Sequence, residues 1–251
     1  ADTWAHQDLF YLDEEGQPTA VAGVPPDYFS PKGQRWGNPL YRWDRMKANG
    51  FEWWIRRVRQ VLNRVHLVRI DHFRGFEAYW EIPADEETAV NGHWVEGPGA
   101  AVFEALGDAL GHLPVVAEDL GIITDEVRDL RDRFDFPGMA ILQFAFGGEP
   151  DHAYLPHNYA RNLVAYTGTH DNDTLRGWWN GAMPEDQRDF ARRYLSANDE
   201  NLSERSLRAL LGSAADRVET PLQDVLDLGA DARMNVPGEG SGNWTWRCSE
   251  E

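Results

Sequence analysis

The sequence predicts an α/β fold in which parallel strands are covered by helices. Apolar runs typical of strands alternate with stretches whose apolar residues recur at three- and four-residue steps. Three of those runs end in acids, at Asp71, at Glu118 and at Asp171. Carboxylates at the ends of successive parallel strands are typical of a (β/α)₈ barrel enzyme. The length of 251 residues also matches one such barrel.

Residues 1–50 and 76–99 are predicted to be loops. The segment 23–33 is dense in proline and glycine and carries aromatic residues, and 76–99 is rich in acids and glycine. Long irregular segments inside compact domains commonly serve as lids or binding loops. The sequence therefore predicts that 20–40 is a lid over an active site.

Helices and strands alternate through the rest of the chain. A helix is predicted over 51–65, where Trp54, Val58 and Val61 fall on one face, and a strand then runs up to Asp71. The later predicted elements are a helix over 100–110, a strand over 114–117, a helix after residue 124, strands over 138–146 and 162–166, helices over 184–195 and 204–211, and a strand or short helix over 220–228.

The number of strand signals falls short of a closed barrel. Five are present, whereas a barrel needs eight. All three absent strands would precede the first predicted one. We therefore expect an incomplete barrel with about strands four to eight and their helices, forming one partial catalytic domain over 1–251.

Composition excludes several classes of function. The net charge of −18 repels phosphate backbones, which argues against nucleic-acid binding. No apolar run reaches the roughly 18 residues of a membrane span. The lone Cys248 cannot form an internal disulfide, and the first residues lack the pattern of a signal peptide. These features predict a cytoplasmic protein.

The sequence predicts no metal site. Asp171 and Asp173 resemble the start of a calcium loop, but its fifth, sixth and twelfth positions hold Leu175, Arg176 and Ala182 instead of Asp or Asn, Gly and Glu. The histidines lack zinc-site spacing, and there is no C-x-x-C motif.

The three acids suit glycoside chemistry, which needs two carboxylates at one bond. Strand alternation puts Arg69 on the same side as Asp71, and a nearby cation favours the ionised form that a nucleophile requires. Glu118 follows an apolar run without an adjacent cation, a setting that raises a carboxyl pKa and suits a proton donor. Asp171 is a candidate third acid, and His170 can hydrogen-bond the same sugar. Each acid alone also fits a helix cap, but three together predict one site.

Nine stretches closely resemble the 4-α-glucanotransferases (amylomaltases, disproportionating enzymes) of glycoside hydrolase family 77. They are VAGVPPDYFS, GQRWGNPLY, LVRIDHFRGFEAYWEIP, VVAEDLG, FPGMAILQFAF, YLPHNY, YTGTHDNDT, PLQDVL and ARMNVPG. They span nearly the whole chain in the family's order. The family belongs to the α-amylase clan of retaining (β/α)₈ barrels.

The resemblance implies a role for each candidate residue. Asp71 is the nucleophile after the fourth strand, Glu118 the general acid/base after the fifth, and Asp171 the transition-state-stabilising acid after the seventh. The implied substrate-binding residues are Arg69, His72 and His170 beside the acids, Tyr28, Phe29, Gln34 and Trp36 in the loop over the cleft, and Asn235 near the carboxyl terminus. The sequence departs from the family pattern at Gly147 and Gly148, where many relatives carry an acid.

The resemblance implies transfer of α-1,4-glucan segments to the 4-hydroxyl of glucose or maltooligosaccharides, in starch and glycogen metabolism. The mechanism is a retaining double displacement without a cofactor. It also implies that the chain is the latter half of a longer enzyme. Because three barrel strands are absent, we expect the isolated chain to be inactive. Two alternatives remain, an α-1,4-glucan hydrolase of the same clan and an inactive glucan-binding fragment. The oligomeric state is not predicted.

Overall fold

A computed structural model of the chain describes residues 2–27, 30–181 and 183–249. The chain forms two compact units, one ending at Phe136 and the other beginning at Pro137. The helices and strands are α1 (Asp2–Ala5), β1 (Ala20–Val24), β2 (Gln34–Pro39), α2 (Trp43–Ala48), α3 (Glu52–Leu62), β3 (Val68–Ile70), β4 (Ala78–Pro83), β5 (His93–Glu96), α4 (Ala100–Leu110), β6 (Val115–Ala117), α5 (Asp125–Arg133), β7 (Gly138–Ile141), β8 (Leu163–Tyr166), α6 (Leu175–Asn180), α7 (Glu185–Leu195), α8 (Leu202–Leu211), β9 (Arg217–Glu219) and α9 (Leu222–Val225).

The first unit holds a parallel strand pair and a separate antiparallel sheet. Strands β3 and β6 run parallel, with Ile70 opposite Ala117. The antiparallel sheet has the strand order β2-β1-β4-β5, with Val24 opposite Gln34 at the end of the β1–β2 ladder. Helices α3 and α4 pack in the same unit around an aromatic core that includes Phe73 and Phe103. The parallel pair confirms the predicted strands before Asp71 and Glu118.

The antiparallel sheet corrects the prediction of loops over 1–50 and 76–99. Strand β2 was missed because it is largely exposed and polar, so it lacks an alternating apolar pattern. The helices α1 and α2 also lie within the segment 1–50. Gly23 looked like a loop residue but is required inside β1. A Cβ atom there would lie 2.1 Å from the main-chain oxygen of Gln34, so only glycine permits this close strand approach.

The second unit contains the parallel sheet β7-β8-β9 and helices α6 to α9. Trp179 and Leu175 are almost fully buried in its core. The predicted strands over 138–146 and 162–166 are confirmed in position, although β7 ends at Ile141 and continues as a 3₁₀ turn. Of the two forms predicted for 220–228, the short helix is observed, and the last strand, β9, lies just before it.

The helices have the bounds expected of an α/β protein. Those predicted over 100–110, 184–195 and 204–211 are observed within two residues of their predicted ends. The amphipathic helix predicted over 51–65 is observed as the shorter α3. Across the described residues, no helix combines the length and apolarity needed to cross a bilayer.

Candidate active site

Asp71 and Glu118 follow the two paired strands of the first unit. The last pair in register is Ile70 and Ala117, so the acids are the next residues along each strand. The ladder continues past them, because Glu118 donates its N–H to the oxygen of Ile70 over 2.9 Å and Phe73 donates to the oxygen of Glu118 over 3.0 Å. Neighbouring strands lie about 4.8 Å apart, so the two carboxyl groups project from adjacent backbone positions.

Asp71 is an exposed carboxylate paired with a cation. The Arg69 guanidinium donates to its Oδ1 over 2.5 Å. The Asp71 side chain is 76 % exposed, which leaves it accessible to a ligand. The pairing confirms the expectation that alternation along β3 puts Arg69 and Asp71 on one side.

Glu118 is more buried and is held by two main-chain donors. The N–H of His72 donates to Oε2 over 2.6 Å, and the N–H of Leu120 donates to Oε1 over 2.9 Å. Burial raises the pKa of Glu118, and the nearby Asp71 acts in the same direction, while the two hydrogen bonds oppose the shift. The raised pKa confirms the expectation from the sequence and suits a proton donor.

His72 connects the two acids. Its main chain is left-handed, with φ of 49°, and its N–H donates to Glu118. Burial lowers the pKa of His72 to about 4, so its imidazole is neutral at physiological pH. The ring is packed edge-on against the Trp36 indole, with 4.7 Å between centroids. A neutral imidazole can both donate and accept a hydrogen bond with a sugar hydroxyl.

Trp36 and Gln34 lie on strand β2 rather than in an irregular loop. The Trp36 Nε1–H donates to Oε1 of Gln34 over 3.1 Å, and the residue is 44 % exposed. Trp36, Asp71 and His72 contribute to the wall of a cavity of about 660 Å³. Tyr28 and Phe29, also predicted to bind substrate, lie outside the described residues.

Two arginines brace the segments that follow Asp71 and Glu118. Arg131 pairs with the buried carboxylate of Asp119 over 2.5 Å. Arg74 donates to the main-chain oxygen of Ile122 over 2.6 Å, and its guanidinium lies 4.0 Å from the centroid of the Trp94 ring. The chain that follows Glu118 is therefore held at two points.

In the second unit, Asp171 is held by residues near the carboxyl terminus. Asn235 donates its side-chain amide to Oδ1 of Asp171 over 2.6 Å, and Arg233 donates to the main-chain oxygen of Asp171 over 2.7 Å. The Nε2 atom of His170 lies 3.3 Å from Oδ2 of the same carboxylate. We call His170, Asp171, Arg233 and Asn235 the second-unit cluster.

The loop that carries Asp171 is anchored to a buried carboxylate. Asp224 is 1 % exposed and accepts hydrogen bonds from the Thr167 hydroxyl, over 2.6 Å, and from the Leu175 N–H, over 2.7 Å. These donors lie immediately before and after the loop 168–174. Burial raises the pKa of Asp224. Asp224 therefore fixes both ends of the loop.

The structure thus brings the predicted site residues together in two groups. Asp71, Glu118, Arg69, His72, Gln34 and Trp36 belong to the first unit, and Asp171, His170 and Asn235 to the second. That all three acids serve one site stays a prediction. Sequence reasoning missed Arg233, Asp224 and Trp244, which carry no periodic signal and contact partners distant in the sequence. Among the described residues, no group of three or more His, Cys, Asp or Glu is placed to hold a metal ion.

Comparisons with known proteins show the family of the chain. Residues 1–251 match the model of glycoside hydrolase family 77, described as 4-alpha-glucanotransferase. The chain is 54 % identical to a 4-alpha-glucanotransferase of Thermus thermophilus, with 98 % of this chain and 51 % of the relative covered. A Synechocystis 4-alpha-glucanotransferase is 51 % identical, with 98 % and 50 % covered. The chain therefore spans about half the length of the curated relatives it matches.

A solved structure is also closely similar. The amylomaltase from Streptococcus agalactiae in complex with acarbose matches with a TM-score of 0.94 and 42 % identity. The match covers 99 % of this chain and 50 % of that one. The similarity therefore extends to the fold as well as to the sequence.

Proposed function

Because this chain belongs to the 4-alpha-glucanotransferase family, glycoside hydrolase family 77, we propose that it carries the catalytic acids of a glucan-transferring enzyme. The enzyme moves α-1,4-glucan segments to the 4-hydroxyl of glucose or of a maltooligosaccharide. Strands β3, β6, β7, β8 and β9 take positions four to eight of a (β/α)₈ barrel, and the segment 20–40 serves as a lid. The most direct support is the hydrogen bond from the main-chain N–H of His72 to Glu118. It places the ion-paired carboxylate of Asp71, the preceding residue, next to the carboxyl group of Glu118, whose pKa is raised.

The first half of the reaction uses the two acids differently. Asp71 attacks the anomeric carbon as Glu118 protonates the leaving glycosidic oxygen, which forms a covalent glycosyl–enzyme and releases the chain beyond the bond. Arg69 keeps the attacking carboxylate aligned through their ion pair. Asp171 stabilises the positive charge that develops at the anomeric centre, and Asn235 holds its carboxylate.

The second half reverses these roles. Glu118, now ionised, takes the proton from the 4-hydroxyl of the acceptor sugar, which attacks the anomeric carbon and displaces Asp71. Two inversions give net retention of configuration. Water must be kept from the glycosyl–enzyme, and an exposed indole at Trp36 supports that role because it offers an acceptor sugar an apolar surface.

The proposal is tested with maltotriose and the natural protein that carries this sequence. Transfer yields glucose together with longer maltooligosaccharides, while the total number of reducing ends stays constant. A hydrolase of the same clan raises the number of reducing ends with every cleavage. Constant reducing ends with product redistribution support the transferase, and a steady rise in reducing ends contradicts it.

A further inference from the structure

Trp244 leaves a large apolar ring in solvent beside the second-unit cluster. Its indole lies 5.2 Å, centroid to centroid, from the imidazole of His170, with 36° between the two planes. The residue is 53 % exposed, whereas Trp179 in the core of the same unit is 1 % exposed. Packing in the hydrophobic core therefore does not explain this position of the indole.

The main chain at Trp244 is held in a conformation that bulky residues rarely adopt. Its φ of 61° lies in the left-handed region. Trp244 donates its N–H to the oxygen of Met234 over 2.7 Å. The Asn243 side chain accepts from the N–H of Val236 and donates to the oxygen of Glu239, each over 2.9 Å. Strained conformations that surrounding bonds maintain are concentrated at ligand-binding sites.

The same hydrogen-bonded segment is fastened to Asp171. Met234, which accepts from Trp244, lies between Arg233 and Asn235, and both neighbours donate to Asp171. One loop therefore positions the indole and also orients the carboxylate. Because His170 contacts both the indole and the carboxylate, an apolar plate and several hydrogen-bonding groups lie side by side.

This combination matches the surface of a pyranose. A glucose ring has hydroxyls around its rim and C–H groups on its faces. The carboxylate of Asp171 and the imidazole of His170 can bind hydroxyls, and an indole buries a C–H face that would otherwise contact water. We propose that Trp244 is a substrate-binding residue that stacks on a glucose unit whose hydroxyls contact His170 and Asp171. This inference rests on the proposed function, from which it takes its ligand.

The first test measures binding without turnover. The parent is the natural protein with Asp71→Asn, and the two variants carry Trp244→Leu or Trp244→Phe in addition. Calorimetry measures the affinity of each protein for maltotriose. Leucine is apolar but not flat, whereas phenylalanine keeps a flat ring. We expect Trp244→Leu to weaken binding about fivefold or more and Trp244→Phe to weaken it clearly less. Trp4→Leu, at a residue that is 83 % exposed in α1, is the matched control and should bind like the parent.

The outcomes separate this inference from the function on which it rests. A parent protein that does not bind maltotriose overturns the proposed ligand class and the Trp244 inference with it. A parent that binds while Trp244→Leu binds equally well overturns the Trp244 inference alone. Equal weakening by leucine and phenylalanine also overturns stacking, because it assigns to Trp244 only the packing of His170.

A second readout reports contact directly. The protein is labelled with 5-fluorotryptophan, and the Trp244 resonance is assigned by its absence from the Trp244→Phe spectrum. Addition of maltotriose to the Asp71→Asn protein should shift this resonance and leave that of Trp4 in place. A Trp244 resonance that does not move at saturating maltotriose overturns the proposal.

Discussion

The main-chain N–H of His72 donates a 2.6 Å hydrogen bond to the Glu118 carboxylate, so the residue after one of the two proposed catalytic acids holds the other. His72 itself has a left-handed main chain, with φ of 49°. The peptide unit that joins Asp71 to His72 therefore fixes the Glu118 carboxylate, while the Asp71 carboxylate is held by its ion pair with Arg69.

Replacement of Asp71, the proposed nucleophile, should abolish transfer without unfolding the protein. Asp71→Asn is isosteric at an exposed position, and an amide cannot form the glycosyl–enzyme. We expect the rate of maltotriose disproportionation to fall at least about a thousandfold, with an unchanged melting temperature. Asp108→Asn on α4 serves as the control and should retain full activity. A rate within about tenfold of the parent would remove Asp71 from this role.

Glu118→Gln should block proton donation but not nucleophilic attack. On glucan donors the rate should fall by about 10²–10⁴-fold, because the leaving oxygen is no longer protonated. An α-maltosyl fluoride donor needs little protonation, so the variant should release fluoride in a burst and then stall as the covalent intermediate. Rapid mixing with a fluoride electrode measures that burst. Full turnover of maltotriose by Glu118→Gln would contradict the assignment.

The raised pKa of Glu118 also fixes the sign of the pH dependence. The first step needs the protonated acid, so kcat/KM of the parent should fall as pH rises through the pKa of Glu118 in the free enzyme. Because burial moves that pKa above its ordinary value of 4.5, the decline should begin at a higher pH than for an exposed carboxyl. The rate of the fluoride burst in Glu118→Gln should not fall with rising pH in this way, because the variant lacks the titrating acid.

Trp36→Ala should change the partition between transfer and hydrolysis. The indole offers an acceptor sugar an aromatic surface worth on the order of 1–3 kcal/mol, so its loss should raise the hydrolysis-to-transfer ratio about tenfold. Reducing-end release and glucose release from maltotriose give the two rates. Trp36→Phe should keep most of the transfer. If both rates fall in parallel, Trp36 only supports His72, whose ring it contacts.

Asp224 should reveal its anchoring role through stability. Asp224→Ala leaves the Leu175 N–H and the Thr167 hydroxyl without their acceptor, which should cost roughly 2–4 kcal/mol of unfolding free energy. Asp224→Asn should cost far less. Its amide oxygen can accept from Leu175 while its NH₂ group donates to Thr167, whose hydroxyl then donates to Thr220, 2.8 Å away. Denaturant unfolding of the two variants measures the difference.

The pH dependence of the Asp224 variants follows from the raised pKa. In the parent, the folded state binds the Asp224 proton more tightly than the unfolded state. Protonation of Asp224 therefore increases the free energy of unfolding at acidic pH. That contribution is lost as pH rises from the ordinary pKa of 3.8 through the folded-state pKa. The stability of Asp224→Asn relative to the parent should therefore increase from pH 4 to pH 7. A decrease over that interval would contradict a raised pKa.

The parallel strands could be predicted because they are short, apolar and followed by acids. Val115–Ala117 is buried throughout, and burial on both faces produces an uninterrupted apolar run. The antiparallel sheet could not be predicted in the same way. Strand β2 is held by main-chain hydrogen bonds to β1 rather than by burial of its side chains. Its sequence therefore lacks an apolar pattern that would predict this pairing.

The composition of the site was predictable, but its connections were not. A strand-end acid is visible in the sequence, and so is Arg69 two residues before Asp71. The bonds from His72 to Glu118 and from Asn235 to Asp171 join residues 46 and 64 positions apart, and no local pattern encodes them. Asp224 is a further case, because an acid in a short helix gives no sign that it is buried.

The β1–β2 hairpin carries Trp36 on a sheet that is separate from the parallel pair that ends at Asp71 and Glu118. Side-chain bonds close its turn, where Ser30 donates its N–H to Asp27 and its hydroxyl to the oxygen of Gly33. Trp36 lies beyond that turn, between the pairs Arg35–Gly23 and Pro39–Val21, in the stretch of β2 where the register shifts. Under the proposed function, the ring offered to an acceptor sugar therefore belongs to the antiparallel sheet and the two acids to the parallel pair of β3 and β6, so separate strand ladders carry them.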